Sequence, residues 1–338
     1  MKRRILALVH EHLVPPEDTT GIDILEAEWK MEYDVIETLR EQGHEVRVLG
    51  VHDDLTGIRP TAGFFQPHIV LNLMEAFAGV TTFDQNVVSY LELLRLRYTG
   101  CNPRGLILAR DKGLSKKLLA YHRIPVPDFT VARYGRKPVL PKKMHFPLIV
   151  KSLFFEASAG ISQASVVENA EQLARRVQFI HESLGTAAIV EQFIDGRELY
   201  VGVLGNERLE VLPVWEMSFA KMPENRWRIA TERVKWSTRY QKANGIMTDA
   251  ATLDASAIAH IQRMAKRAYR ALDLNGYARI DLRLDERGRA YVLEANPNPN
   301  LAYGEDFAES AERMGVSYEQ LMQRILLTGL QWRPERRG

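Results

Sequence analysis

The sequence predicts an α/β unit at its front and an α+β arrangement over the remaining two-thirds. In the first hundred residues, short apolar runs rich in β-branched residues alternate with segments of helical periodicity, the pattern of a parallel sheet covered by helices. From residue 187 onward, strand-like runs follow one another directly, which favours antiparallel strands. A chain of 338 residues accommodates two or three domains, which we place at 1–101, 102–185 and 186–338.

Three strands and two helices are predicted in the first unit. The strands are Ile5–Val9, Val46–Val51 and Ile69–Leu73, and the helices are Leu25–Glu41 and Gln85–Leu96. Ligands of parallel sheets lie beyond the carboxyl ends of the strands, so the loops 10–21 and 75–84 are candidate walls of a substrate site. His10 and His12 supply only two metal ligands, so we expect a structural or substrate-contact role for them.

The rest of the chain mixes helices and strands. The predicted strands are Phe129–Ala132, Pro147–Lys151, Ala187–Phe193, Glu198–Leu204 and Leu209–Glu216. The predicted helices are Asp111–Tyr121, Ala170–Ser183, Ala255–Leu272 and Tyr318–Leu327. Asn169 stands where the N-cap of the second of these helices is expected.

A β-hairpin is predicted within 276–300, where two alternating runs flank the polar tetrapeptide Asp285–Gly288. With this tetrapeptide as the turn, the expected cross-strand pairs are Asp281 with Val292 and Arg279 with Glu294. Side chains alternate between the faces of a strand, so one face carries four polar groups: Arg279, Asp281, Glu294 and Asn296. Carboxylate and carboxamide oxygens suit Mg²⁺, and a guanidinium suits a phosphoryl group or an oxyanion. A simply solvated polar face is the alternative.

The composition is that of an ordinary globular protein, with 46% hydrophobic and 26% charged residues. A net charge of +2 gives little electrostatic basis for a nucleic-acid partner, and no apolar run reaches membrane-spanning length. Cys101 is the single cysteine, which excludes an internal disulfide and leads us to expect a reducing cytoplasm.

Two further stretches carry groups suited to a nucleotide. Lys151 ends an apolar strand, where a buried ammonium needs an anion or water, and the small residues 158–162 could bring backbone N–H groups near phosphates. The stretch 191–198 turns at Asp195-Gly196, which leaves Gln192–Ile194 as a connector whose backbone could read a purine edge. The alternative for residues 158–162 is an ordinary surface loop. The alternative for the turn at Asp195-Gly196 is a plain β-turn.

Together these motifs resemble the ATP-grasp superfamily and, within it, the D-alanine–D-alanine ligase branch. The resemblance covers most of the chain after residue 84 and rests on Gly-Tyr-x-Arg-x-Asp at 276–281, Glu-x-Asn at 294–296, Glu-x-x-x-x-Gly-x-Glu at 191–198 and Asp-Lys-x-x-x-Lys at 111–116. It implies a three-domain ATP-grasp architecture. An N-terminal parallel α/β domain, a central lid domain and a C-terminal antiparallel-sheet domain with the metal site would occupy the three ranges given above.

The resemblance also implies site residues. The metal ligands would be Asp281, Glu294 and Asn296, holding one or two Mg²⁺ ions, with Mn²⁺ as an alternative. The ATP contacts would be Lys112, Lys151, Ser158 and Gly160 at the phosphates, Glu191, Gln192 and Ile194 at the adenine, and Glu198 at the ribose. Lys235 would reach the γ-phosphate and Arg279 would stabilise an acyl-phosphate and an oxyanion. For Lys116 and Lys117 we expect solvated positions on their helix.

The implied reaction is a two-step ligation. A carboxylate attacks the γ-phosphate of ATP, and an amine then displaces phosphate from the acyl-phosphate. The D-alanine ligases carry His-Gly-x-x-Gly-Glu-Asp-Gly in the first domain and Gly-Met-Thr-x-x-Ser after Glu-x-Asn. Here the corresponding places read Met74–Asp84 and Pro297–Tyr303, and we predict that Asn298, Asn300 and Tyr303 contact the substrate.

We therefore predict an ATP-dependent carboxylate–amine ligase acting on a small amino-acid-like substrate other than the D-alanine pair. Three alternatives stay open at this point. They are a true D-alanine–D-alanine ligase, a non-catalytic ATP-binding module, and an enzyme that transfers phosphate from ATP without forming an amide. The resemblance is compatible with a homodimer.

Overall fold

The computed structural model describes residues 2–155, 158 and 160–334, and its first unit is a parallel sheet with strand order β2-β1-β3. The elements in chain order are β1 (Arg4–His10), α1 (Lys30–Glu41), β2 (Glu45–Val51), α2 (Ile58–Phe65), β3 (Ile69–Asn72) and α3 (Asp84–Leu93). The three predicted strands are confirmed. Helix α1 begins later than predicted, because a separate 3₁₀ turn capped by Asp23 occupies Ile24–Glu26.

The second sheet is antiparallel, with strand order β4-β7-β5-β6. Its elements, with the helices before and within it, are α4 (Pro103–Arg110), α5 (Lys112–Tyr121), β4 (Phe129–Ala132), β5 (Leu148–Ser152), β6 (Val166–Val167), α6 (Ala170–Leu184) and β7 (Ala188–Gln192). Asn169 caps α6 through the Gln172 N–H, as predicted. Strand β7 pairs with this sheet although it follows residue 185, and the division into domains stays a prediction.

The third sheet is antiparallel, with strand order β10-β9-β8-β11-β12. Its elements are β8 (Arg197–Gly205), β9 (Leu209–Phe219), α7 (Glu232–Trp236), α8 (Thr238–Asn244), β10 (Ile246–Ala250), α9 (Ala255–Ala271), β11 (Tyr277–Leu284), β12 (Ala290–Pro297), α10 (Asp306–Arg313) and α11 (Tyr318–Gln331). Helix α9 packs on one face with Ile261, Ala265 and Ala268 fully buried. The polar residues of β8, β11 and β12 therefore project from the opposite face.

The predicted hairpin is present, but its predicted register is wrong. The observed pairs are Leu284 with Ala290, Leu282 with Val292, Asp281 with Glu294, and Arg279 with Asn296. The turn covers 285–289, one residue more than predicted, and a β-bulge at Leu293 adds a second residue to β12. Without the bulge, Asp281 would pair with Leu293, and Glu294 would turn to the opposite face of the sheet. The bulge thus restores the four-residue polar face that the sequence predicted.

The first and third units are joined through the C-terminal helix. Helix α11 contacts both β3 and β8, and Leu321, Ile325 and Leu326 share one apolar core with Ile5 and Leu71. This packing lays the parallel sheet of the first unit beside the sheet that carries the polar hairpin. Within the described residues, no helix is both long and apolar enough to cross a membrane.

Candidate active site

An open cleft lies between the second and third sheets. Ten of the sequence-predicted site residues line it: Lys112, Lys151, Ser158, Glu191, Gln192, Ile194, Glu198, Lys235, Asp281 and Glu294. The structure thus brings residues from five strands and two helices to one place.

The second sheet supplies a buried cluster of opposite charges. Lys151 of β5 and Glu191 of β7 share a face, and the Lys151 Nζ lies 3.3 Å from Glu191 Oε2. Burial alone would raise the pKa of Glu191, but Lys116 and Lys151 lower it, so this carboxylate stays ionised. Burial would lower the pKa of Lys151, and Glu191 with Glu294 raises it instead. The cluster therefore keeps a fixed ammonium at the floor of the cleft.

Lys116 is part of this cluster, and the expectation that it is solvated is wrong. Its side chain is 1% exposed, and its Nζ lies 3.3 Å from Glu191 Oε1. The same ammonium donates a 2.5 Å hydrogen bond to the carbonyl of Leu293, the extra residue of the β-bulge. Lys117, one position along α5, is exposed as expected. Lys116 thereby fastens the bulge on which the orientation of Glu294 depends.

Asp281 and Glu294 of the hairpin line the opposite wall, whereas Arg279 and Asn296, on the same face of the hairpin, do not line the cleft directly. Arg279 forms two hydrogen bonds to Asp281, of 2.8 and 2.9 Å, and its guanidinium stacks over the Tyr200 ring at 4.5 Å. Burial would raise the pKa of Glu294, but the nearby lysines, led by Lys112, lower it to about 2. The Lys112 Nζ lies 3.7 Å from Glu294 Oε2. Glu294 is therefore ionised throughout the physiological range.

Asp281 and Asn296 complete the donor set of this wall. Burial raises the pKa of Asp281, and the ion pair with Arg279 only partly opposes this effect. The Asn296 Nδ2 is buried without a hydrogen-bond partner among the described residues. A carboxylate pair and an uncommitted amide on one face provide hard oxygen donors, so the residues fit a divalent cation such as Mg²⁺.

The far end of the cleft is built around Arg283, which sequence reasoning missed. Its guanidinium donates to Glu198 Oε2 at 2.7 Å and to the Ile194 carbonyl at 3.2 Å, and also bonds the Arg228 carbonyl. Arg283 is 3% exposed and pairs directly with Glu198 across β11 and β8. The alternation Arg279, Asp281, Arg283 was the available signal, because it places all three on one face.

Apolar side chains from three segments form the walls at this end. Ile149 and Phe193 come from the second sheet and its connector, and Ile229 comes from the segment before α7. The Phe193 ring meets Trp227 edge-on at 5.1 Å. The Gln192 side chain accepts from the His145 N–H and donates to the Pro147 carbonyl, and its backbone N–H donates to the Asp128 carbonyl at 2.7 Å. A flat aromatic ring fits between such walls.

The loop after β5 folds over the cleft. Ser158 has a positive φ of 63° and donates to the Ala230 carbonyl at 2.7 Å, while the Gly160 carbonyl accepts from Arg176. The Lys112 Nζ donates to the Phe155 carbonyl at 2.7 Å. Ala159, within the predicted small-residue loop, lies outside the described residues. Gly160 does not line the cleft directly.

The three predicted substrate residues follow β12. Asn298 adopts a positive φ of 53°, and its Oδ1 accepts the Cys101 N–H at 2.8 Å. Asn300 Oδ1 accepts the Ala302 N–H at 2.9 Å. The Tyr303 side chain is 56% exposed, and its backbone contacts Lys30 and Asp34 of α1. This segment therefore ties the end of the hairpin to the first unit, and its role in substrate binding stays a prediction.

Residues 118–327 match the family model described as D-ala D-ala ligase C-terminus. A Sinorhizobium fredii protein described as uncharacterized is 31% identical over 300 residues, covering 86% of this chain and 85% of that protein. The D-alanine–D-alanine ligase of Desulfotalea psychrophila is 30% identical over 263 residues, covering 77% and 78%.

A solved structure shows the same fold. The D-alanine–D-alanine ligase from Bacillus anthracis complexed with ATP superposes with a TM-score of 0.73 at 20% identity, covering 97% of this chain and 98% of that one. The likeness extends over all three sheets, so the predicted architecture of a parallel front unit followed by two antiparallel sheets is confirmed.

Proposed function

The chain belongs to the D-alanine–D-alanine ligase family of ADP-forming, ATP-dependent ligases, and from that premise we propose that it joins the carboxyl group of one small amino acid to the amino group of another. The single observation that carries this proposal is the cleft in which ammonium groups on one wall face a carboxylate pair on the other. Such a pairing suits a polyphosphate with a divalent cation.

In this proposal the nucleotide spans the cleft from Arg283 and Glu198 to the carboxylates of Asp281 and Glu294. The adenine lies between Ile149, Phe193 and Ile229 and is read by the Gln192–Ile194 backbone, with Glu191 nearby. Glu198 binds the ribose hydroxyls and is held in place by Arg283. Lys112, Lys151, Ser158 and Gly160 serve the phosphates.

Asp281, Glu294 and Asn296 are the proposed ligands of Mg²⁺, with Mn²⁺ as the alternative. A bound divalent ion would neutralise charge on the phosphates during transfer. A carboxylate oxygen has more than one lone pair, so Asp281 can accept from Arg279 and still offer a ligand atom. Glu294 enters already ionised, because its pKa is held near 2.

Lys235 and Arg279 act on the substrate in this scheme. Lys235, on the short helix α7, lines the cleft and contributes positive charge near Asp281 and Glu294. The carboxylate oxygen of the first amino acid attacks the γ-phosphorus, and ADP leaves. The amine of the second attacks the acyl carbon, phosphate leaves, and Arg279 stabilises the oxyanion formed in between. Phe155 contacts Lys112 and Ser158 contacts Ala230 beside the cleft, and in this scheme closure of this loop over bound ATP would protect the acyl-phosphate from water.

Two substrate assignments fit this chemistry. The D-alanine pair is supported by the names of the family relatives, such as the Desulfotalea psychrophila enzyme. A different amino-acid pair, our first prediction, is supported by the segments Met74–Asp84 and Pro297–Tyr303, which lack the family's substrate motifs. In addition, the side-chain oxygens of Asn298 and Asn300 accept hydrogen bonds from backbone N–H groups.

Phosphate release from ATP and Mg²⁺ with panels of D- and L-amino acids, followed by mass spectrometry of each mixture, tests the proposal. Release that requires two amino acids, together with a condensed product, supports ligation and names the pair. Robust D-alanyl-D-alanine formation would select the first assignment. Phosphate transfer to a carboxylate or other acceptor without an amide product would contradict the ligase proposal.

The matched variants are Glu294→Gln and Glu286→Gln. Both remove one negative charge from the same hairpin, but Glu286 is exposed in the turn, away from the cleft. Glu294→Gln should abolish release, whereas Glu286→Gln should leave it unchanged. Light scattering of the same samples tests the homodimer that we include in the proposal.

A further inference from the structure

A second group of metal ligands lies at the carboxyl edge of the first sheet. Glu11 and His12 directly follow β1, and His52 follows β2. The two strands are parallel neighbours, with His10 paired to Val51, so their ends meet at the same edge. None of these residues lines the nucleotide cleft.

The geometry is close to that of a metal site. Glu11 Oε1 lies 3.7 Å from His12 Nε2 and 3.7 Å from His52 Nδ1. The ligand atoms of all three residues lie within 4.8 Å of one another. A tetrahedral zinc ion with bonds of about 2.1 Å spaces its ligands roughly 3.4 Å apart. The His12 side chain is 73% exposed and can rotate inward freely to shorten these distances.

The backbone is shaped to hold the cluster. A Cβ at Gly50 of β2 would lie 3.0 Å from Val14 Cγ2 and 3.1 Å from the Glu11 Cα. The glycine therefore lets the 3₁₀ turn Glu11–Leu13 lie against β2, which brings Glu11 to His52. His10 Nδ1 accepts the His12 N–H at 3.4 Å and further fixes this turn.

His10 adds a fourth nitrogen beside the three ligands. Its Nε2 lies 3.2 Å from His52 Nδ1, near the spacing of two ligands on one ion.

We propose that Glu11, His12 and His52, with His10 beside them, bind a divalent transition-metal ion such as Zn²⁺. Imidazole nitrogens favour Zn²⁺, Ni²⁺ or Cu²⁺, whereas the all-oxygen donors of the hairpin favour Mg²⁺. The two sites therefore select different ions.

The site also joins the two loops that border the carboxyl edge of the first sheet. Glu11 and His12 lie in the loop 10–21, and the His52 carbonyl accepts the Ala78 N–H of the loop 75–84 at 2.8 Å. Ala78 itself has a positive φ of 52° and lies in a turn closed by Phe77 and Val80. A bound ion would hold the first loop to His52 and, through that carbonyl, to the second.

Isothermal titration of Zn²⁺ into the full-length protein tests the site directly. The parent is the Glu294→Gln variant, so that the carboxylates of the cleft contribute less binding. We expect one zinc ion per chain, and an affinity that falls about tenfold or more in His52→Ala and in Glu11→Gln. The control is His260→Ala, which removes an exposed histidine on α9 and should leave the affinity unchanged.

Co²⁺ absorption spectra of the same variants report the ligands independently of enzyme activity. A spectrum with nitrogen coordination that is displaced by Zn²⁺ and lost in His52→Ala supports the site. Unchanged zinc affinity in both His52→Ala and Glu11→Gln would overturn it, as would the absence of stoichiometric binding at micromolar Zn²⁺. Glu11, His52 and His260 are all accessible to solvent, and circular dichroism verifies that each variant is folded.

Discussion

Replacing Lys116 with methionine tests whether a buried lysine holds the hairpin of β11 and β12 in register. Methionine keeps an unbranched chain of similar length but removes the ammonium. Two contacts are lost: the 2.5 Å hydrogen bond to the Leu293 carbonyl and the 3.3 Å ion pair with Glu191. Leu293 is the extra residue of the bulge, so its carbonyl lacks the neighbour that a regular ladder would provide.

The expected loss of stability in Lys116→Met follows from the burial of the groups that Lys116 contacts. Removing one partner of a buried ion pair costs about 3–5 kcal/mol, and leaving a buried carbonyl unpaired costs about 1–3 kcal/mol. The two costs are not additive, because a single ammonium group makes both contacts. Burial also lowers the pKa of Lys116, so its removal relieves some desolvation, and Lys151 still pairs with Glu191. We therefore expect the free energy of unfolding to fall by about 3 kcal/mol.

The assay is urea unfolding followed by tryptophan fluorescence, with Lys117→Met as the matched control. Lys117 is the next residue of α5 and is exposed, so its substitution should change the free energy of unfolding by less than about 0.5 kcal/mol. Lys116→Met should also raise the Mg²⁺ concentration needed for ATP turnover, because loss of the bulge would turn the Glu294 side chain to the opposite face of the sheet. Equal stability of the two variants would refute the reasoning.

Three further predictions concern the same sheet. Glu294 has a pKa of about 2 against an ordinary 4.5, so its ionised form adds about 3 kcal/mol to stability above pH 4.5. The stability gap between wild type and Glu294→Gln should therefore close as the pH falls from about 5 to 2, and a constant gap in acid denaturation would contradict this. Arg283→Met should raise the KM for ATP about tenfold or more, because Glu198 loses its buried partner. An unchanged KM would show that Arg283 does not contribute to nucleotide binding. Gly276→Ala should lower the melting temperature far more than Gly288→Ala: both have positive φ, but only at Gly276 would a Cβ lie 2.4 Å from the Gly100 carbonyl oxygen. Similar melting temperatures would show that the close approach is easily relieved.

The sequence by itself determined which residues share the polar face of the hairpin and which motifs meet in one cleft. Period-two alternation fixed Arg279, Asp281, Glu294 and Asn296 on one side, even though the predicted register was wrong. The reason is that the longer turn and the bulge together shift the pairing of these four residues by two, and a shift of two leaves side chains on their original face. The Asn169 cap of α6 could also be predicted from the local sequence, because a cap depends only on its own helix.

Only the tertiary structure decided the features that depend on residues far apart in the chain. The bulge at Leu293 is held by Lys116, 177 positions earlier, and nothing in the local pattern of a strand records such a partner. The same holds for Arg283, whose alternation was visible but whose contacts to Ile194 and Arg228 were not, and for His52, which joins Glu11 and His12 across parallel strands. Periodicity is local information, whereas register, burial of charge and ligand sets are decided by packing between distant segments.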